Sequence, residues 1–309
     1  SDETYTLIVS TPRTGWIADW YDEFFADLEE KSGGRLQFQV NQNNEIGNPS
    51  DCVTMFEAGT IDFLDMNVSA SGANMPVSDL VHVPYYCDDP ATAADIMWAL
   101  YDAGYMTEYD GYHVLMYIPT DMMMVASTKE LATLDDFSGL KVRASSPMIL
   151  SALELCGGTS VSIEASEVYM ALSQGTIDAS VSSPLYMVLS AYEEVCDYLL
   201  NMPICTGMCY LAVNEDSWNA LPTDLQELIT EETATYYDLY IETLYENTDA
   251  YMEQLAEGGM TIVEPSEELE SEIIELTSGL LDEYKESLTS QGYDADAILE
   301  IADGVMAAE

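Results

Sequence analysis

Leu140-Lys141-Val142-Arg143-Ala144-Ser145-Ser146-Pro147 joins two kinds of local structure in eight residues. Leu140 to Arg143 reads as a strand, and Ser146-Pro147 is a cap-then-proline helix start. That helix ends at Gly157-Gly158. Val168 to Gln174 forms the next helix, closed by Gly175; Ile177 to Val181 is a strand, and Ser183-Pro184 opens another helix. Towards the N-terminus the same alternation holds. Tyr5 to Ser10 is a strand, and Trp16, Trp20, Phe24 and Leu28 recur every four residues along a helix stopped by Gly33-Gly34. Leu36, Phe38 and Val40 mark a strand, Val53 to Ala58 a short helix, and Ile61 to Met66 a strand. Asp89-Pro90 starts a helix ending at Gly104, and His113 to Ile118 is a strand. Alternating strands and helices predict an α/β fold with mostly parallel sheets flanked by helices.

The pattern starts again near Met122. Beyond it, Met208 to Val213 is a strand returning to the first half. Thr223-Asp224-Leu225-Gln226 is a capping box launching a helix to about Glu257, followed by a strand at Thr261 to Val263. A second long helix is expected from Ser266 through Ser287. No low-complexity linker intervenes, so the halves should be joined by ordered strands and the long helix.

Composition limits the function. The 309 residues carry 57 Asp plus Glu against 7 Lys plus Arg, a formal charge of −50, with the acids spread along the whole chain. Such a surface repels phosphate backbones and anionic lipid, which excludes nucleic acid as a partner. Apolar residues make up 48% of the chain, but no apolar run reaches the ~18 residues of a membrane span. Ser1-Asp2-Glu3 leads almost directly into a strand, as expected of an exported chain whose leader has been removed. Six cysteines (Cys52, Cys87, Cys156, Cys196, Cys205 and Cys209) allow disulfides without fixing a pairing. They are expected to be mostly buried small hydrophobes, and no metal site or cofactor is anticipated.

No catalytic motif is present, and His82 and His113 sit in no recognisable context. Paired carboxylates, as in an acidic secreted hydrolase, remain an alternative because acids are so abundant. The informative residue is Arg143. A guanidinium fork beside a helix start suits a ligand carboxylate; on residue chemistry alone it suits an internal ion pair equally. Ser145 and Ser146 follow it, and Ser183 occupies a similar strand end. Met122, Met123 and Met124 serve either as core or, in part, as cleft wall.

These pieces resemble the substrate-binding proteins of tripartite ATP-independent periplasmic (TRAP) transporters over nearly the whole length. The likeness lies in Ser32-Gly33-Gly34-Arg35, Asn44-Glu45-Ile46-Gly47, Glu57-Ala58-Gly59-Thr60-Ile61-Asp62 and Pro84-Tyr85. It is most specific in Leu134-Asp135-Asp136-Phe137-Ser138-Gly139-Leu140-Lys141-Val142-Arg143 and in Ser166 to Asp178. Asn214, Trp218, Leu221-Pro222 and Gln226 complete it. The resemblance implies a two-lobed periplasmic-binding-protein-like receptor, a long helix spanning both lobes, and a ligand cleft between them. The expected division is 1–121 plus 210–250 for lobe I and 122–209 plus 251–309 for lobe II. It implies a periplasmic or extracytoplasmic monomer, free or lipid-anchored, serving a permease of one small and one large integral membrane subunit. Binding proteins of ATP-driven importers share the two-lobed plan but should lack the long helix.

In this resemblance Arg143 falls on the arginine that pairs with the ligand carboxylate, and Asn67 and Thr11 are the first-lobe ligand positions. Ser183 stands where an asparagine is frequent. A second arginine is replaced by Met122, and an aromatic residue by Ala165. One cation fewer and one ring fewer imply a monocarboxylate with an apolar or aromatic body. Tyr186, Met187 and Met208 are the expected walls.

Overall fold

The aromatic spacing near the N-terminus folds as its period predicts. In the computed structural model, which describes residues 3–70 and 75–308, Gly15–Lys31 form α1 and bury Trp20, Tyr21, Phe24, Phe25 and Leu28. The remaining elements of the first part are β1 (Tyr5–Ser10), β2 (Leu36–Asn41), α2 (Pro49–Glu57), β3 (Phe63–Asn67), α3 (Pro90–Asp102) and β4 (Tyr112–Ser127). Then come β5 (Lys141–Arg143), α4 (Pro147–Leu155), β6 (Thr159–Ser160), α5 (Val168–Ser173), β7 (Ala179–Ser182), α6 (Pro184–Leu189) and β8 (Tyr198–Asn214). The last are α7 (Glu215–Ala220), α8 (Thr223–Glu257), β9 (Thr261–Val263), α9 (Glu267–Thr277), α10 (Leu280–Ser290) and α11 (Ala295–Met306).

The chain forms two compact units. Unit 1 is Ser1–Met75, Met106–Ile118 and Met208–Thr243; unit 2 is Pro76–Tyr105, Pro119–Gly207 and Leu244–Glu309. Pro76–Tyr105 groups with unit 2, whereas the sequence division places it with residues 1–121. There the Tyr284 hydroxyl of α10 donates to the carbonyls of Pro76 and Val77 at 2.7 and 3.1 Å. β4, β8 and α8 each contribute residues to both units.

Unit 1 holds the order β2-β1-β3-β8, with β1 parallel to β2 and β3, and β3 antiparallel to β8. Within it α8 buries Leu225, Ile229, Thr233, Tyr236 and Tyr240, a stripe at spacings of three and four. Tyr236 and Tyr240 meet the Trp20 ring edge-on at 5.9 and 5.4 Å. That aromatic packing stabilises beyond the area it buries.

Unit 2 holds the order β4-β7-β5-β6, with β9 parallel to β8. β5 runs parallel to both β6 and β7, and β4 antiparallel to β7. Alternation divides its core into two. Met123, Val125, Val142 and Val181 face one cluster, and Met124 and Ala126 face another with Met187 and Tyr192. The methionine run is therefore strand.

Three expectations change. β4 runs on to Ser127 and β8 begins at Tyr198, so both are far longer than predicted. Pro119, Pro203 and Gly207 read as strand breakers, but they are accommodated within the strands. The predicted helix 266–287 is two helices. α9 ends where Ser278 N–H turns back to the Glu275 carbonyl, and Gly279, costly inside a helix, caps α10.

Gly207 is required by a close approach. Its N–H donates to Thr120 Oγ1 at 3.1 Å, and the Thr206 hydroxyl donates to the Thr120 carbonyl at 2.6 Å. A Cβ on Gly207 would stand 2.6 Å from Thr120 Oγ1. Gly207→Ala should lower stability by about 1–3 kcal/mol. Adding Thr120→Ala should recover part of that loss, because neighbouring changes couple. Urea midpoints of the two variants check both statements.

Candidate functional site

The carboxyl ends of the parallel strands β5 and β7 converge on one edge of unit 2, where each passes into a helix through Ser-Pro. Ligands of open α/β sheets bind at such edges. Arg143 ends β5 and pairs in register with Ser180 of β7. Its half-buried side chain extends opposite to Val142, on the side of Tyr192. Arg143 Nε donates to the Ile163 carbonyl at 3.4 Å. Among the described residues no carboxylate pairs with this guanidinium.

That is unusual in this chain. Arg13, Lys31, Arg35, Lys129 and Lys285 all form ion pairs with acids. Lys141 Nζ donates to the Gly175 carbonyl at 2.7 Å. The surroundings of Arg143 are hydroxyls instead: Ser180 Oγ lies 3.3 Å from the Tyr192 phenol. Burial raises the Tyr192 phenol, although the charge of Arg143 pulls the other way. The phenol stays neutral and can donate.

The serines are partly occupied by capping. Ser146 Oγ accepts from Met148 N at 3.3 Å, and Ser183 Oγ accepts from Tyr186 N at 3.4 Å. Both are buried, while Ser145 is exposed. Met122 is buried at the start of the β4 segment in unit 2, and Ala165 is exposed in a 3-10 turn. Tyr186 projects from α6 at 56% exposure. Met187 is fully enclosed in the core beside Tyr192, and Met208 is fully enclosed on β8, so neither presents surface in this structure.

In unit 1, Thr11 and Asn67 lie at the carboxyl ends of β1 and β3. Thr11 Oγ1 donates to Asp65 Oδ2 at 2.8 Å, and Asn67 Nδ2 donates to Cys209 Sγ at 3.6 Å. The sequence reading missed Arg13, which joins this group. Its Nε and Nη2 donate to the two Asp65 oxygens at 2.7 and 2.9 Å. Burial opposes the Arg13 charge, but Asp65 and the polar neighbours around it hold Arg13 firmly protonated. The signal was available: a strand, an arginine and a helix start lie within a few residues from Tyr5 to Gly15, as they do around Arg143, although Arg13 sits in the loop and Arg143 ends its strand.

Asp121 was missed as well. Only 1% exposed, it accepts from Leu185 N at 2.9 Å through Oδ2, while Oδ1 has no partner among the described residues. Alternation places it on the Met123 side of the sheet, away from Arg143. Burial pushes its carboxyl up from 3.8 to about 6, against the opposing hydrogen bonds of Leu185 and Ser183. Below the unfolded value the carboxyl is protonated in both states, and its favourable contribution is complete. That contribution disappears as the pH rises through about 6. Asp121→Asn should therefore be more stable than the parent at pH ~7.5, by about 1–3 kcal/mol, with the gap closing towards pH ~4. Denaturant titrations of both proteins across that range test this.

The comparisons agree with the fold. The sequence profile described as "Bacterial extracellular solute-binding protein, family 7" matches residues 9–287. The chain belongs to that family, the solute receptors of TRAP transporters, as its sequence resemblance implied. It is 25% identical over 242 residues to the 2,3-diketo-L-gulonate-binding periplasmic protein of Escherichia coli, covering 76% of this chain and 73% of that one. A TRAP solute-binding protein of Rhodoferax ferrireducens with copurified benzoate superposes with a TM-score of 0.88 at 20% identity, covering 99% and 98% of the two chains. A Bordetella pertussis extracytoplasmic receptor binding pyroglutamic acid gives 0.86 at 18% identity, covering 97% and 100%. These are substrate-binding receptors. Among the described residues, no helix is long and apolar enough to cross a membrane, and no three His, Cys, Asp or Glu side chains are grouped as metal ligands would be.

Proposed function

We propose that this chain is an extracytoplasmic receptor that captures a small organic acid through Arg143 and delivers it to a membrane permease of one small and one large subunit. One observation carries the reading. In a chain of 57 acids and 7 cations, the guanidinium at the end of β5 has no carboxylate partner among the described residues. Its fork is open to two parallel hydrogen bonds from a ligand carboxylate. The receptor works as a monomer, by binding without turnover.

The favoured solute is a monocarboxylate with an apolar or aromatic body. Met122 offers a thioether where a second cation would favour a dicarboxylate. Two structurally similar receptors hold benzoate and pyroglutamic acid, and each of these molecules carries one carboxyl group. Both are reasonable first probes.

Thermal-shift measurements with an organic-acid panel test the class. A true ligand at a hundredfold excess over Kd stabilises by about 2.7 kcal/mol. Arg143→Ala should weaken binding about 30-fold or more by calorimetry, the cost of truncating one partner of a buried charge pair. Stabilisation by dicarboxylates or neutral sugars alone would end the monocarboxylate reading. Undiminished binding by Arg143→Ala would remove its mechanism. The acidic surface opposes an incoming anion, so the wild-type affinity should rise between ~0.01 and ~0.15 M salt.

A further inference from the structure

Behind Arg143, within unit 2, lie two hydroxyls that packing alone does not require. Ser180, its register partner across β5 and β7, is fully enclosed, and Tyr192 is only 3% exposed. Their oxygens stand 3.3 Å apart. Side chains of a register pair leave the sheet on the same face, so Ser180 Oγ is set beside the root of the Arg143 side chain. Tyr192 lies in the core cluster on that face. Two apolar side chains would fill this space with no polar group to satisfy. The charge of Arg143 is felt at the phenol. The turn that delivers Tyr192 is strained as well. Ala191, just before it, is held at φ 52°, a left-handed conformation that a residue with a Cβ avoids. Such strain persists only where the surroundings over-determine it. Here Ala191 N–H donates to the Val188 carbonyl at 3.1 Å, and the Tyr192 carbonyl accepts from Cys196 N–H at 2.8 Å.

We propose that Tyr192, acting through Ser180, is a positioning residue for Arg143: the hydroxyl pair orders the guanidinium without cancelling its charge. The effect on affinity rests on Arg143 being the carboxylate anchor. An arginine side chain has many rotamers, and a fork ordered beforehand spares the solute that entropic cost. A carboxylate would order the fork but neutralise it, as Asp65 does for Arg13. Hydroxyls turn their oxygens towards the cation and their hydrogens away, and keep the charge available. The phenol holds Ser180 in that orientation, and the Ile163 carbonyl on Nε is the second point of attachment.

The chain has three arginines, Arg13, Arg35 and Arg143, so 15N relaxation of their Nε–H groups reads each one separately in the full chain without solute. The Arg143 order parameter should fall from near the rigid value of about 0.85 in the parent to below about 0.6 in the double variant Tyr192→Phe/Ser180→Ala. Arg13 should not change. Tyr192→Phe alone leaves the Ser180 hydroxyl unmatched in the core and should lower the urea midpoint. The double variant replaces both partners by apolar groups and should regain it. Calorimetry with benzoate and pyroglutamate then separates the roles. Both variants should bind whichever acid the parent binds at least about fivefold more weakly, even though the double variant has recovered its stability. A purely structural pair would give back affinity together with stability. An Arg143 Nε–H already mobile in the parent, or equally ordered in the double variant, overturns the inference and leaves the anchor standing. So does a double variant that binds as tightly as the parent. Binding that Arg143→Ala does not weaken removes the anchor instead. Should neither acid bind the parent, the relaxation measurement decides the positioning role alone.

Discussion

A protein with seven cations among 57 acids has carboxylates near almost any position a lysine or arginine can reach. Keeping a guanidinium unpaired in that field is therefore a structural achievement of the backbone. β5 is three residues long, and its last side chain is turned towards Ser180 and Tyr192, groups without charge. The Ile163 carbonyl takes the Nε hydrogen and fixes the plane of the fork. Among the described residues no carboxylate reaches the outer nitrogens. On the proposed reading, anion recognition in such a molecule depends on excluding its own acids from one strand end.

The same local grammar is used twice with opposite results. Between β1 and α1, and at the end of β5 ahead of α4, the chain places an arginine within four residues of a helix start. At the first, Asp65 cancels the charge and leaves a donor surface; at the second, the charge is left open. A buried ion pair contributes little net stability, but removing one partner costs about 3–5 kcal/mol. Asp65 is thus held in place by Arg13 as firmly as Arg13 is by Asp65. The outcome is a polarity difference between the two strand ends, set by Asp65 beside one arginine and by hydroxyls beside the other.

Much of this was legible in the sequence, for a physical reason. Helix starts announced by Ser or Asp followed by Pro use only local geometry, and Asp89, Ser146 and Ser183 cap as expected. Four-residue aromatic spacing identified α1 and glycine pairs its end. The long strands β4 and β8 were hidden because Pro119, Pro203 and Gly207 act as breakers unless the neighbouring strand accommodates them. The gap at Ser278-Gly279 was overlooked because the apolar period continues on either side. In the site, Arg143 stood out because strand, cation and helix start are contiguous. Asp65 is 52 residues from Arg13, and the unmatched oxygen of Asp121 exists only once α6 and β4 have packed. No local pattern encodes either.

All six cysteines are buried. Burial pushes the Cys156 thiol up to about 11 and the Cys196 thiol up to about 12, and raises Cys205 and Cys209 as well. Thiolate, the species that reacts with oxidants and other thiols, is correspondingly scarce. Enclosed and protonated, these sulfurs are poor nucleophiles towards oxidants and thiol reagents in the folded chain. Any covalent crosslink would have to form in the unfolded chain, before these sulfurs are enclosed.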